Sequence, residues 1–174
     1  MALYKYRPAP SGRMGALWTL AAIKESAVLE FGVMGHNIYA KAWLDRAGLY
    51  HRSKLYCTHM DEIDVSLGTT ERIYMCIKEI AEDKSIKTIF FLPSSIPEII
   101  GTDLKAICQD LQNMYPDIQM VPLSYGGFEV EQEKGVEQTL VTLSKVMPDE
   151  KYECTKDLSF NIIGSCADLV RFKL

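Results

Sequence analysis

An α/β fold is predicted, with a mostly parallel sheet covered by helices on both faces. Three observations carry that expectation. Short apolar runs alternate with longer stretches of helical periodicity, and strands separated by helices imply right-handed crossovers between parallel neighbours. The run "KTIFFLP" (87–93) is continuously apolar, as a strand covered on both faces must be. The polar or glycine-rich clusters "GVMGHN", "CTHMD", "PSS" and "SYGGF" each follow a predicted strand. In such sheets ligands bind beyond the carboxyl ends of the strands, so the four clusters predict one shared rim. The architecture expected is three-layered and Rossmann-like.

The elements follow in order. "GALWTLAAIKES" (15–26) is rich in helix formers, with Leu17, Leu20 and Ala21 at helix spacing. "AVLEF" (27–31) predicts a short strand, and "HNIYAKAWLDRAG" (36–48) a helix ending at Gly48, where a left-handed cap suits glycine. "SKLYCT" (53–58) predicts a strand. "TTERIYMCIKEIAED" (69–83) is amphipathic, with Ile73, Cys76, Ile77 and Ile80 on one face. "SSIPEIIGTDLKAICQDLQNMYP" (94–116) is helical, with Ser95 and Glu98 spaced as a capping box and Pro97 in its first turn. Gly101 costs about 1 kcal/mol against alanine inside a helix, so a bend or a later helix start is expected there. "DIQMVPLS" (117–124) predicts a strand, "EVEQEKGVEQTLVTLSKVM" (129–147) a helix, and "PDEKYECTKD" (148–157) a linker. "LSFNIIG" (158–164) predicts a closing strand.

With 174 residues the chain can bury the core of one ordinary domain. The expected division is a first domain over 1–157 and a C-terminal strand and tail over 158–174. The apolar share of 48% and charged share of 24% are those of a globular protein. A net charge of −4, with no basic patch, argues against nucleic-acid binding. No signal peptide pattern is seen, and no apolar run reaches the roughly 18 residues that a membrane span needs. A cytoplasmic protein without membrane or nucleic-acid partners is expected. Five cysteines without a CxxC pair indicate neither a disulfide framework nor a zinc ribbon, and Cys76 and Cys108 read as small core residues.

Familiar catalytic strings are missing. There is no GxxxxGK[ST], no GxSxG elbow and no GxGxxG. Cys57 and His59 flank Thr58, with Asp61 and Glu62 beyond, and thiolate, imidazole and carboxylate are all usable metal ligands. A solvated strand end is the favoured reading of that group. His36 sits at the bend after a strand, where either a ligand role or an ordinary helix-start histidine fits. Gly126 and Gly127 supply a turn, with Phe128 an apolar plug beneath it.

Taken together, the loops are more specific than any one of them. "GALWTLAAIKESAVLEFGVMGHNIYA", "CTHMDEIDVSLGTTERI", "PSSIPEIIGTDL" and "YGGF" occur in the order and spacing of the nitrogenase component 1 oxidoreductase family, which the chain resembles over residues 8–164. That family includes molybdenum-iron protein subunits, cofactor-assembly scaffold proteins and dark-operative protochlorophyllide reductase subunits. Residues 31–36 resemble its "HGPxGC" loop, 57–68 its "STxMTExDxVFGG" loop and 95–103 its "CxxExIGDD" loop.

The resemblance implies an iron–sulfur cluster held at a subunit interface by cysteines from three loops. By alignment of motifs, those cysteines correspond here to Ser11, His36 and Ser95, while Phe31 stands at the loop's histidine. Glu98, Ile100 and Gly101 match. Thiolates suit iron–sulfur clusters, imidazole replaces some of them, and serine is a poor substitute. The implied cofactor is a cluster shared with a partner chain or none at all, with His36 and Cys57 as the metal-binding candidates. Cys57 is the rim thiol able to compensate. The cofactor-binding candidates are thus Ser11, His36, Cys57, Ser95, Gly126 and Gly127.

Family subunits contain three related α/β domains, so a chain that halts just after "FNIIG" implies a first domain alone or a shortened protein. Catalysis by this chain alone is not expected. Three functions compete. One is a redox-family domain pairing with a homologous subunit or itself, served by a nitrogenase reductase-like iron protein. The second is a non-catalytic structural or assembly partner of the family. The third is a flavodoxin-like binder of flavin or phosphate at a helix N-terminus, for which Gly126 and Gly127 matter most.

Overall fold

The computed structural model describes residues 11–21, 23–46, 48, 54–68, 70–124 and 131–147, with the side chain of His36 outside the described set. In chain order come α1 (Gly12–Leu20), β1 (Ser26–Phe31), α2 (Met34–Arg46), β2 (Lys54–Cys57), α3 (Glu62–Leu67) and α4 (Glu71–Ile80). They are followed by β3 (Thr88–Pro93), α5 (Ser95–Ile99), α6 (Leu104–Met114), β4 (Gln119–Pro122) and α7 (Gln132–Val146).

Among the described residues the strands form one parallel sheet in the order β2-β1-β3-β4. Strand alternation then sorts side chains to two faces. Ala27, Leu29 and Phe31 of β1 join Ile89, Phe91 and Met120 in one core, under Ile73, Ile77 and Ile80 of α4 and Leu104, Ile107 and Leu111 of α6. Val28, Phe90, Leu92 and Val121 face the other core, built from Met14, Leu17 and Leu20 of α1 and Ala40 and Leu44 of α2. Leu143 and Val146 of α7 pack against that second core. The three-layer α/β fold predicted from alternation is therefore the fold observed.

Several local expectations are corrected. The first helix begins at Gly12 and stops at Leu20, and Ser26 already belongs to β1. α1 is buried on nearly every side, because sheet, α2 and α7 all contact it. The stretch 94–116 is two helices: Gly101 adopts φ +70° between α5 and α6, as the cost of glycine inside a helix anticipated. No Ser95–Glu98 capping box forms; Ser94 is the N-cap of α5 and makes no side-chain cap bond. The capping box lies at α3 instead, which was not predicted. There Asp61 accepts from the Asp64 N–H at 3.0 Å, and Asp64 accepts from the Asp61 N–H at 2.9 Å. The expected strand 158–164, the linker 148–157 and the turn at Gly126 and Gly127 lie outside the described residues.

The tightest helix contact holds α1 against α7. A Cβ added at Gly135 would sit 1.8 Å from the carbonyl oxygen of Gly12, and one at Gly15 would sit 2.4 Å from that of Gln132. These are backbone-to-backbone clashes that no rotamer relieves. Gly135→Ala should therefore destabilise by about 3 kcal/mol, lowering Tm by roughly 6–12 °C in thermal denaturation. Gly35, in the first turn of α2, has nothing within 4 Å of its missing Cβ. Gly35→Ala should gain about 0.5–1 kcal/mol in the same assay.

Candidate functional site

The chain runs outward from β1 to β2, then crosses back to β3 and β4. The carboxyl ends of β1 and β3 thus flank the point where strand order reverses, the usual ligand position in such sheets. Gly32, just past β1, is the hub. Its N–H donates to Thr58 Oγ1 at 3.1 Å, and its carbonyl accepts from the Met60 N–H at 2.8 Å and from the Cys57 thiol at 3.6 Å. On the β3 side, the Ser94 N–H donates to the Phe31 carbonyl at 2.9 Å. A Cβ at position 32 would lie 2.4 Å from Ser94 Oγ, so only glycine admits that hydroxyl.

One pleat below lies a charge. Glu30 is completely buried, in register with Cys57 on one side and Leu92 on the other. Arg13 of α1, itself nine-tenths buried, donates to Glu30 Oε1 as a hydrogen-bonded ion pair. Burial pushes the Glu30 carboxyl above its ordinary range, while Arg13 and the amide of Asn37 pull it back. Even so, Glu30 Oε2, Asn37 Nδ2 and Ser94 Oγ are buried without a hydrogen-bond partner at normal geometry.

Four of the predicted residues lie on the chain segments that carry this pair and its neighbours. Ser11 is the N-cap of α1, two residues before Arg13, and its hydroxyl makes no cap bond. The backbone of His36 lies in the first turn of α2, beside Asn37. Cys57 ends β2 and feels the charge of Glu30. Ser95 opens α5, but Ser94 is the fully buried serine. Gly126 and Gly127 lie outside the described residues.

The sequence reading missed Arg13, Glu30, Asn37 and Ser94. Its available signal was the glutamate in "AVLEF", since a charge on a buried strand requires a partner. The group around His59 is a turn: His59 has φ +54° and donates its N–H to Cys57 Sγ at 3.4 Å, and Asp61 is engaged by Arg72 and the α3 cap. Among the described residues no three His, Cys, Asp or Glu side chains are placed to hold a metal ion.

This geometry defines an open α/β domain whose candidate site is a buried polar cluster at the switch point of a parallel sheet. Its sequence places it further: the model of the nitrogenase component 1 type oxidoreductases matches residues 11–172, and the chain belongs to that family. Among curated proteins, it is 29% identical over 159 residues to the nitrogenase iron-molybdenum cofactor biosynthesis protein NifE of Clostridium pasteurianum, covering 86% of this chain and 34% of that protein. NifE of Rippkaea orientalis is 24% identical over 155 residues, covering 86% of this chain and 32% of that protein. The chain thus spans about a third of the length of these relatives. The solved structure titled "Nitrogenase Cp1 at pH 5" shares the fold with a TM-score of 0.71 at 19% identity, covering 87% of this chain and 34% of that one. "Nitrogenase Cp1 at pH 6.5" gives 0.69 at 13%, covering 86% and 34%.

The lining fits an iron–sulfur cluster poorly. Such clusters are held by thiolates, and of Ser11, His36, Cys57 and Ser95 only Cys57 carries sulfur. Burial raises the Cys57 thiol to about 11, and it donates its proton to the Gly32 carbonyl. With a folded-state value above the ordinary 9.0, its contribution to stability is complete below pH 9 and lost as pH rises through 11. At pH 8 the thiolate fraction should be roughly 100-fold below that of an ordinary thiol. Iodoacetamide labelling of native protein, read by mass spectrometry, should therefore be slow at Cys57 near neutrality and accelerate as pH approaches 11. Labelling as fast as in urea would contradict this.

Proposed function

We propose that the chain acts as the first α/β domain of a component 1-type subunit in an assembly role, pairing through its rim with a second chain of the same family. It presents a binding face and is not itself a catalyst. The observation that carries this reading is the apolar character of the rim. Met34 and Ile38 of α2, Ile63 and Leu67 of α3, and Ile99 of α5 are large apolar side chains left exposed near the carboxyl ends of the strands. Beside them runs a groove of about 750 Å³ lined by Val33, Met60, Ile63, Val65 and Ile96, with Asp61, Glu62 and Ser66 also in its wall. Clustered exposed apolar side chains mark interaction surfaces. The cofactor biosynthesis named in the titles of the curated relatives supports an assembly role over turnover.

The redox reading needs a cluster, which the lining of hydroxyls, amide and carboxylate disfavours. The flavodoxin-like reading rests on Gly126 and Gly127, outside the described residues. No helix among the described residues is long and apolar enough to cross a membrane.

Sedimentation of the chain alone, and co-expression with component 1-type subunits of the same genome, test the proposal. A complex should form, and Ile63→Asp with Leu67→Asp should weaken it at least about tenfold while leaving Tm unchanged, because the two side chains touch little else. A chain that stays monomeric and captures no such subunit overturns it.

A further inference from the structure

We infer that the Arg13–Glu30 ion pair takes the structural place of a cluster in this chain, making beneath the rim one of the links that a cluster would make, from α1 to β1. The inference rests on the assembly reading above and names the device that lets the rim stand without a metal.

The placement argument is residue by residue. Each position that the family resemblance assigns to a cluster ligand lies within two residues in sequence of a member of this buried polar cluster. Ser11 is two residues before Arg13. His36 adjoins Asn37, whose amide lies beside Glu30. Ser95 adjoins Ser94, whose hydroxyl fills the space over Gly32, two residues beyond Glu30. Cys57 is the register partner of Glu30 itself. A cluster bound by these segments would join the entrance of α1 to the loops after β1 and β3. The ion pair already makes the first of those links, from α1 to β1.

The chemistry of the lining agrees. A cluster demands soft, anionic sulfur donors facing inward. Here the inward groups are a guanidinium, a carboxylate, a carboxamide and a hydroxyl. Three of their polar atoms, Glu30 Oε2, Asn37 Nδ2 and Ser94 Oγ, are buried and make no hydrogen bond of normal geometry. They are hard oxygen and nitrogen groups, suited to water and poorly suited to iron bridged by sulfide. Glu30 and Arg13 are a buried carboxylate and guanidinium, neither of them a soft donor.

The test compares three full-length proteins under anaerobic incubation with ferrous iron and sulfide: wild type, the variant Ser11→Cys/His36→Cys/Ser95→Cys, and that variant carrying also Arg13→Met/Glu30→Met. Bound iron, acid-labile sulfide and visible absorption are measured after desalting, with circular dichroism to confirm folding. Wild type and the first variant should retain only trace iron, and the second should retain at least roughly tenfold more, since soft donors hold a cluster only where space and charge permit. A second measurement stands independently of loading. Glu30→Gln and Arg13→Gln should each lower Tm clearly, and Arg13→Met/Glu30→Met should recover most of the loss, because the damage comes from stranding one buried charge.

Stoichiometric iron and sulfide in the wild type would overturn the inference. So would equal loading of the two variants, or single variants whose Tm equals that of wild type. The assembly reading is judged separately, by pairing of metal-free wild type. A chain that pairs and also loads iron sinks this inference alone, and one that neither pairs nor loads sinks the assembly reading alone.

Discussion

The whole arrangement depends on a carboxylate near the carboxyl end of a buried strand. β1 is covered on both faces, and Glu30 has no access to solvent. An isolated charge there would be expelled or neutralised, so the fold must deliver a cation, and α1 delivers Arg13. Stranding either member costs about 3–5 kcal/mol, a large part of the roughly 5–15 kcal/mol that holds a domain folded. The requirement propagates outward. With Arg13 fixed, the entrance of α1 is fixed. Gly12 then meets Gly135 at backbone contact, which sets where α7 crosses. One ion pair thereby couples the centre of the sheet to the helical layer on one face.

The same requirement shapes the rim. Gly32 follows Glu30 by one pleat, and its missing side chain lets the loops after β2 and β3 close over the strand end. Three neighbouring strands end on this glycine through Thr58, Cys57 and Ser94. Above them the surface turns apolar, with α3 and α5 exposing isoleucines and a leucine. The domain therefore has a charged, closed interior directly beneath an apolar exterior. That layering suits a face that grips protein while its own interior stays chemically quiet.

Much of this was legible from residues alone, and the failures have physical causes. The strands and the long helices were readable because each carries its own periodicity, as Ile73, Ile77 and Ile80 show. The loops after β1, β2 and β3 were readable because glycine and polar residues follow each of those strands. α3 was not, because its apolar Ile63, Val65 and Leu67 alternate over only six residues and the helix is held by a side-chain capping box and a glycine at φ +63°. The spacing points to Ser95 as the cap whereas Ser94 holds that place, a one-residue slip that local propensity cannot resolve. The ion pair was invisible for a different reason. Arg13 and Glu30 lie on separate elements, and only the packing of α1 across β1 brings them together.

The pair also offers the most direct measurement. The side-chain carboxyl carbon of Glu30, labelled with carbon-13, can be followed by NMR from acid to mildly alkaline pH. Burial should place its midpoint above the ordinary 4.5 for a glutamate, and removing the opposing cation with Arg13→Met should drive it higher still. A midpoint at or below the ordinary value, unmoved by that substitution, would mean that Glu30 is solvated and that no buried pair organises the site.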